Sequence, residues 1–150
     1  MTRTRLLSAV AIATLAAVSA ASAATAERTI HYRQNVYGLI GWNFGAIAEL
    51  VRDKRPWDAA EFASRAERIA QLSKMTDEGF PEGSATGALT EAKPTIWENL
   101  ADFNAKMDDF RREAGALASI AQGGDAEAMK AQFAKTGATC KACHDEYKTE

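Results

Sequence analysis

Cysteine is scarce in this chain, with two residues among 150, too few for the disulfide framework that staples small secreted domains. Positive charge is not in excess either. Lys and Arg number 18 against 20 Asp and Glu, a net charge of −2, which supplies no basic footprint for nucleic acid. The low hydrophobicity and charge excess of a disordered chain are missing too, since 47% of the residues are apolar. No stretch alternates apolar and polar residues with period two, so a sheet is not expected. What remains is a globular composition of a length that suits one domain with its own core. The two cysteines need a purpose other than stapling.

Residues 1–23 stand apart. Arg3 and Arg5 precede an uncharged apolar run from Leu6 to Ala17, and Ala21-Ser22-Ala23 offers small residues where a signal peptidase reads. The run is shorter than the roughly 20 residues a membrane span needs, and Glu27 follows soon after. A signal peptide over 1–23 is therefore expected, with cleavage after Ala23 and a second candidate site after Ala26. Its removal leaves 16 basic against 20 acidic residues, a net charge of −4. Residues 24–150 are expected to be one exported, soluble domain of the bacterial periplasm, without membrane insertion after cleavage.

That domain is predicted to be all-α. From Glu27 to about Asp53, Ile30, Val36, Tyr37, Ile40, Phe44, Ile47, Leu50 and Val51 recur at helical spacing. Asp58 and Glu61 form the signature of a capping box, opening a second helix that buries Phe62, Ala66, Ile69 and Leu72 and stops near Met75. Glycine, proline and serine between Asp77 and Glu91 predict a long loop, of the kind that often covers a site. Pro94 opens a third helix, along which Leu100, Phe103, Met107, Phe110, Ala114, Leu117 and Ala121 are spaced alternately three and four apart. Gly123 and Gly124 end it. Asp125 caps a fourth helix whose inner face reads Met129, Phe133, Gly137, Cys140, His144 and Tyr147. Four such helices with mostly short connections predict an antiparallel up-and-down four-helix bundle.

The chemistry lies near the C-terminus, in Cys140-Lys141-Ala142-Cys143-His144. C-x-x-C-H is the attachment signature of haem c: two thiols bond the vinyl groups and the adjacent imidazole reaches the iron. A redox dithiol would open a helix after a strand, whereas this motif sits inside the last predicted helix. A zinc site would have three candidate ligands here and His31 as the only other histidine. A plain disulfide is the third alternative. On a helix Cys140, Cys143 and His144 share the core-facing stripe, so a haem would sit inside the bundle. Gly137, one turn earlier, suits the close approach of a flat ring or of a packed side chain.

With Tyr32-Arg33-Gln34 in the first helix, Lys93-Pro94 and Ile96-Trp97 at the start of the third, and Cys140 to Lys148 at the end, the chain resembles the cytochromes c′, themselves a standard example of the up-and-down bundle. The resemblance spans residues 27–150 and implies one covalent haem c, with Cys140 and Cys143 as thioether anchors and His144 as axial ligand. It implies that Arg33 and Gln34 contact the haem edge and propionates, where Arg can serve two oxygens at once. From the residues alone Arg33 would be a solvated surface charge. Thr90 and Glu91 match the segment that approaches the haem before the third helix, and Lys148 matches a basic residue near the axial histidine.

Relatives with six-coordinate iron place a methionine in the first helix, but the methionines after the leader are Met75, Met107 and Met129. Tyr37 stands at the position that shields the open face, and a phenol with a pKa near about 10 makes a poor ligand. Five-coordinate, high-spin haem is therefore expected, suited to electron transfer or to small diatomic gases such as NO and CO. The alternatives are a haem enzyme such as a peroxidase, a six-coordinate low-spin carrier on the same fold, and a helical interaction protein without haem. The resemblance also implies a homodimer through the first two helices, to which Trp42, Ile47 or Leu50 could contribute, and periplasmic redox partners. His31 is expected at the surface.

Overall fold

In the computed structural model the backbone is described over residues 3–149 and the side chains over residues 24–149. Among the described residues five α-helices follow one another: α1 (Arg3–Val51), α2 (Ala59–Ser73), α3 (Thr95–Glu98), α4 (Leu100–Ala121) and α5 (Ala126–Tyr147). α3 is a single turn, and the other four form the antiparallel bundle that the periodicities predict. The expected leader, residues 1–23, lies outside the residues whose side chains are described. Among the described residues no helix is long and apolar enough to cross a membrane, and extended pairing is limited to one bridge, Ala92 to Lys148.

Helix ends follow local chemistry. α1 stops before Asp53, whose φ of 54° is a left-handed conformation that Asp tolerates better than most residues. At the start of α2 the Asp58 carboxylate accepts the Glu61 N–H at 2.9 Å, as expected. The reciprocal half of the capping box does not form. Glu61 instead accepts from Arg55 at 3.0 Å and from Arg65 at 2.7 Å, because charged guanidinium donors outbid a neutral backbone amide. Gly124 turns the chain at φ 72°, and Asp125 caps α5 by accepting the Glu127 and Ala128 N–H groups at 3.0 and 3.2 Å.

The third predicted helix is not continuous. It is broken at Asn99, where φ is −129° and ψ 44°, which separates α3 from α4. The break leaves Ile96 buried and lets the Trp97 indole N–H donate to the Pro81 carbonyl at 3.0 Å. It also moves Leu100 off the seam, to 43% exposure, so the seam begins at Phe103. Between α2 and α3 the predicted loop holds a 3₁₀ turn over Asp77–Gly79.

The core has two parts. Ile47, Leu50, Phe62, Ile69, Leu117 and Met129 are fully buried in the larger one, and each side chain of this kind contributes about 1.5–3 kcal/mol by leaving water. Ile47 and Leu50 therefore belong to the interior and not to an outer patch, whereas Trp42 stays 72% exposed with Leu39 one turn before it at 53%. Ile96, Phe103, Met107 and Tyr147 form the smaller part. α1 and α5 meet where Phe44 stacks on Phe133, ring centroids 4.2 Å apart. A Cβ at Gly137 would lie 3.2 Å from Phe44, so this glycine admits a side chain of α1. Beyond that contact a cavity separates the two helices.

Candidate functional site

The last turns of α5 carry Cys140, Cys143 and His144, whose i, i+3, i+4 spacing puts all three on one face. That face forms one wall of a cavity of about 850 Å³, within the range of pockets that enclose whole cofactors. Both cysteines are half-buried free thiols. Burial raises the pKa of Cys140 and pushes that of Cys143 up to about 11, which keeps them protonated. The desolvated part of the His144 ring, and then the Lys148 ammonium one turn on, lower its imidazole pKa. A neutral imidazole is the form that binds metal.

Opposite stands α1, which lines the cavity with Tyr37, Gly38, Ile40, Gly41 and Phe44. Gly38 and Gly41 have nothing within 4 Å of where a Cβ would be, so this wall is backbone and open space. Tyr37 crosses it. Its hydroxyl donates to Met107 Sδ at 3.3 Å and its ring meets Phe80 edge-on, centroids 6.2 Å apart. Burial drives the phenol pKa well above its ordinary value, with the two cysteines adding to the effect. Tyr37 is thus a neutral hydrogen-bond donor at any physiological pH. α4 closes the third side with Phe103, Lys106, Met107 and Phe110.

The rim is polar, and Arg33 organises it. Although it carries a charge, Arg33 is only 3% exposed, contrary to the surface position that its residue type alone suggests. Nη1 donates to the carbonyls of Gly79 at 3.2 Å and Ser84 at 2.8 Å and to Ser84 Oγ at 3.3 Å, and Nη2 donates to Thr90 Oγ1 at 2.9 Å. The guanidinium also lies over the rings of Phe80 and Trp97, 5.2 and 5.6 Å from their centroids. Burial lowers its pKa, yet a guanidinium remains charged. Gln34 Nε2 donates to the Leu89 carbonyl at 2.9 Å. The exposed His31 ring lies 3.3 Å from Gln34 Oε1 and outside the cavity wall. Arg33 and Gln34 therefore tie α1 to the 79–90 loop while facing the cavity from its edge.

The two ends of the site are joined by a clasp. Lys93 N–H donates to the Tyr147 carbonyl at 2.9 Å and Thr149 N–H to the Glu91 carbonyl at 2.8 Å. Lys148 Nζ lies 2.8 Å from Glu91 Oε2 and holds that carboxyl below its usual pKa range. The Tyr147 hydroxyl donates to Asp102 Oδ2 at 2.6 Å. All nine residues expected at the site line the same cavity: Arg33, Gln34, Tyr37, Thr90, Glu91, Cys140, Cys143, His144 and Lys148. Sequence reasoning missed Phe80, which the composition of its loop concealed, and the role of Met107, whose seam position signals core alone.

The donor set fits a flat, largely apolar group held covalently. Two thiols and an imidazole stand on one wall, apolar side chains and bare glycines are among the rest of the lining, and Arg33, Gln34, Lys106 and Lys148 add donors that suit acidic substituents. Among the described residues His144 is the sole histidine of the wall, and no cluster of three or more His, Cys, Asp or Glu could hold a metal ion unaided. A porphyrin would have to bring its own four ligands.

Residues 28–148 match the family model described as cytochrome C′. The chain is 37% identical over 119 residues to cytochrome c′ of Rubrivivax gelatinosus, covering 79% of this chain and 92% of that one. Among solved structures it superposes on cytochrome c prime from Shewanella frigidimarina with a TM-score of 0.81 and 45% identity, covering 83% of this chain and 97% of the other. A nitric oxide complex of a variant of cytochrome c prime from Alcaligenes xylosoxidans gives a TM-score of 0.76 at 32% identity, covering 83% and 97%.

Proposed function

The chain belongs to the cytochrome c′ family, whose members carry one covalently attached c-type haem, and from that premise we propose that it is a periplasmic haem protein with five-coordinate, high-spin iron that transfers electrons and binds small diatomic gases. Cys140 and Cys143 would carry the two thioether links and His144 the axial bond. Arg33, Gln34 and Thr90 would face the propionate edge, with Glu91 and Lys148 beside the axial histidine. When bound, the haem supplies a one-electron couple and an axial position for NO or CO. The protein's part is to hold the imidazole, exclude water and decide what stands over the open face.

The observation that carries the proposal is the state of Tyr37. It lines the cavity from α1 while His144 lines it from α5, its phenol is held neutral by burial, and its hydroxyl is engaged with Met107. A neutral phenol shields a metal without binding it. Met107 is the methionine of the cavity wall, and its sulfur is occupied by the Tyr37 hydroxyl, which argues against it as a sixth ligand and so against a low-spin carrier. A peroxidase needs an acid–base group over the open face. Arg33 is committed to loop carbonyls, and the wall offers no second imidazole. The protein is therefore proposed not to be an enzyme.

The absorption spectra of the ferric and ferrous protein, with and without NO and CO, test this directly. High-spin spectra that change on adding either gas are expected, and a low-spin, six-coordinate spectrum before any ligand is added would overturn the proposal. A mass increase of one haem that survives denaturation tests Cys140 and Cys143 as the anchors. The leader over residues 1–23 is likewise proposed, and the N-terminal sequence of the exported protein decides between Ala23 and Ala26. A homodimer through α1 and α2 is proposed on the exposure of Trp42 and Leu39.

A further inference from the structure

Met107 lies at 2% exposure inside the smaller core, among Ile96, Phe103 and Tyr147. A residue so placed needs no function beyond packing, and Leu would fill the same space. Its sulfur nevertheless accepts the hydroxyl proton of Tyr37, a cavity-lining residue of the opposite wall, at 3.3 Å. We propose that Met107 sets the ligand preference of the gas site by holding the Tyr37 hydroxyl away from a molecule bound in the cavity, so that a wall containing a donor behaves as an apolar one. This inference rests on the gas-binding role proposed above and goes beyond it, because it assigns selectivity to a buried core methionine and not to one of the residues proposed to hold the haem.

Geometry supports the assignment from both sides. The Met107 side chain is packed in the smaller core at 2% exposure, beside Phe103 and Tyr147, which restricts how far its sulfur can follow a departing hydroxyl. The Tyr37 ring is held edge-on by Phe80, and Phe80 is held in turn beneath the Arg33 guanidinium. The hydroxyl keeps one freedom, rotation about its C–O bond, and therefore a choice between the sulfur and whatever enters the cavity. A thioether is a weak acceptor, so the competition is close. Removing the sulfur leaves a buried hydroxyl without a partner, and a bound diatomic becomes the acceptor within reach. Hydrogen-bond donors over an open haem face are a main determinant of which gases bind.

The test compares Met107→Leu, Tyr37→Phe and the double variant in the haem-loaded protein with carbon monoxide as probe. In Met107→Leu the CO complex should show a lower C–O stretching frequency and an affinity raised by about two- to twelvefold, the range expected for one added neutral hydrogen bond. Both changes should vanish in the double variant, and Tyr37→Phe alone should leave the stretch where it is in the parent. An unchanged stretch in Met107→Leu, or a change that persists without the Tyr37 hydroxyl, overturns the proposal, the latter showing that Met107 acts by shape. A parent protein that forms no CO complex would overturn the gas-binding function itself and this inference with it. The circular dichroism of Met107→Leu, expected to match the parent, separates these outcomes from misfolding.

Discussion

Replacing Gly79 by Ala should loosen the whole rim of the cavity, because Gly79 lies against Arg33 of α1 with no room for a Cβ. A Cβ built on Gly79 would lie 2.6 Å from the Cβ and 3.4 Å from the Cα of Arg33. Carbon atoms pack at about 3.5–4.0 Å, so the loop or the helix must retreat by about 1 Å. α1 cannot give, since Ile30, Val36 and Ile40 anchor it on both sides of Arg33, and the loop must move. The Gly79 carbonyl then withdraws from Arg33 Nη1, to which it is bonded at 3.2 Å. Overpacking of this kind costs about 1–3 kcal/mol, which for a domain of this size lowers the melting temperature by about 3–10 °C. Gly115→Ala provides the control, because Gly115 is exposed on α4 with nothing within 4 Å; there alanine should stabilise the helix by up to about 1 kcal/mol. Urea denaturation of the two haem-loaded variants measures both. If Gly79→Ala costs less than about 0.5 kcal/mol, the loop is not pinned where Arg33 holds it, and the account of the rim fails.

Three further outcomes are expected. The Arg55 and Arg65 hydrogen bonds draw the Glu61 carboxyl pKa down to about 2, so its contribution to stability is present above about pH 4.5 and is lost as pH falls from there toward 2; Glu61→Gln should flatten that part of the stability–pH curve, and an unchanged acid limb would refute the pairing. The Cys140→Ala, Cys143→Ala variant without bound haem should melt broadly, since a cavity of about 850 Å³ then has nothing to fill it, and a sharp native-like transition by calorimetry would contradict that. Trp42→Glu should shift sedimentation toward the monomer without changing the Soret band, and an unaltered sedimentation coefficient would remove Trp42 from the interface.

How far this was legible in the sequence depends on the range of the interactions. The seam from Phe103 to Ala121, the caps at Asp58 and Asp125 and the face shared by Cys140, Cys143 and His144 are local, set by spacing within one helix, and they could be read residue by residue. The break at Asn99 could not, because its cause lies elsewhere: Trp97 turns to the Pro81 carbonyl, 16 residues away. Arg33 shows the same limit more sharply. A lone arginine on an amphipathic helix reads as solvated, and only the family resemblance turned it toward the haem. Its burial depends on acceptors 46 to 57 residues distant, carbonyls and hydroxyls that every loop possesses and no pattern marks. Met107 was legible as core because that is half of what it does. The direction of its sulfur depends on where Tyr37 stands, and that is a property of the folded pair.

The site is held as one connected object for a related reason. His144 lies one turn from the end of α5, where helices fray and the final carbonyls lack partners. Left alone, that turn would position an axial ligand poorly. Lys93 Nζ donates to the carbonyls of Asp145 and Glu146 at 3.4 and 3.1 Å, the backbone of 91–93 pairs with that of 147–149, and the Thr90 hydroxyl beside this segment accepts from Arg33 on the opposite helix. The fraying end is thus stitched to the loop, and the loop to α1. Both walls of the cavity are located by the same strip of chain, residues 79–93, so its separation is controlled beyond the point where Phe44 of α1 stacks on Phe133 of α5. A bundle with so large an opening beside its core can keep a defined shape because the segment that looked like a loose connection in the sequence is its crosspiece.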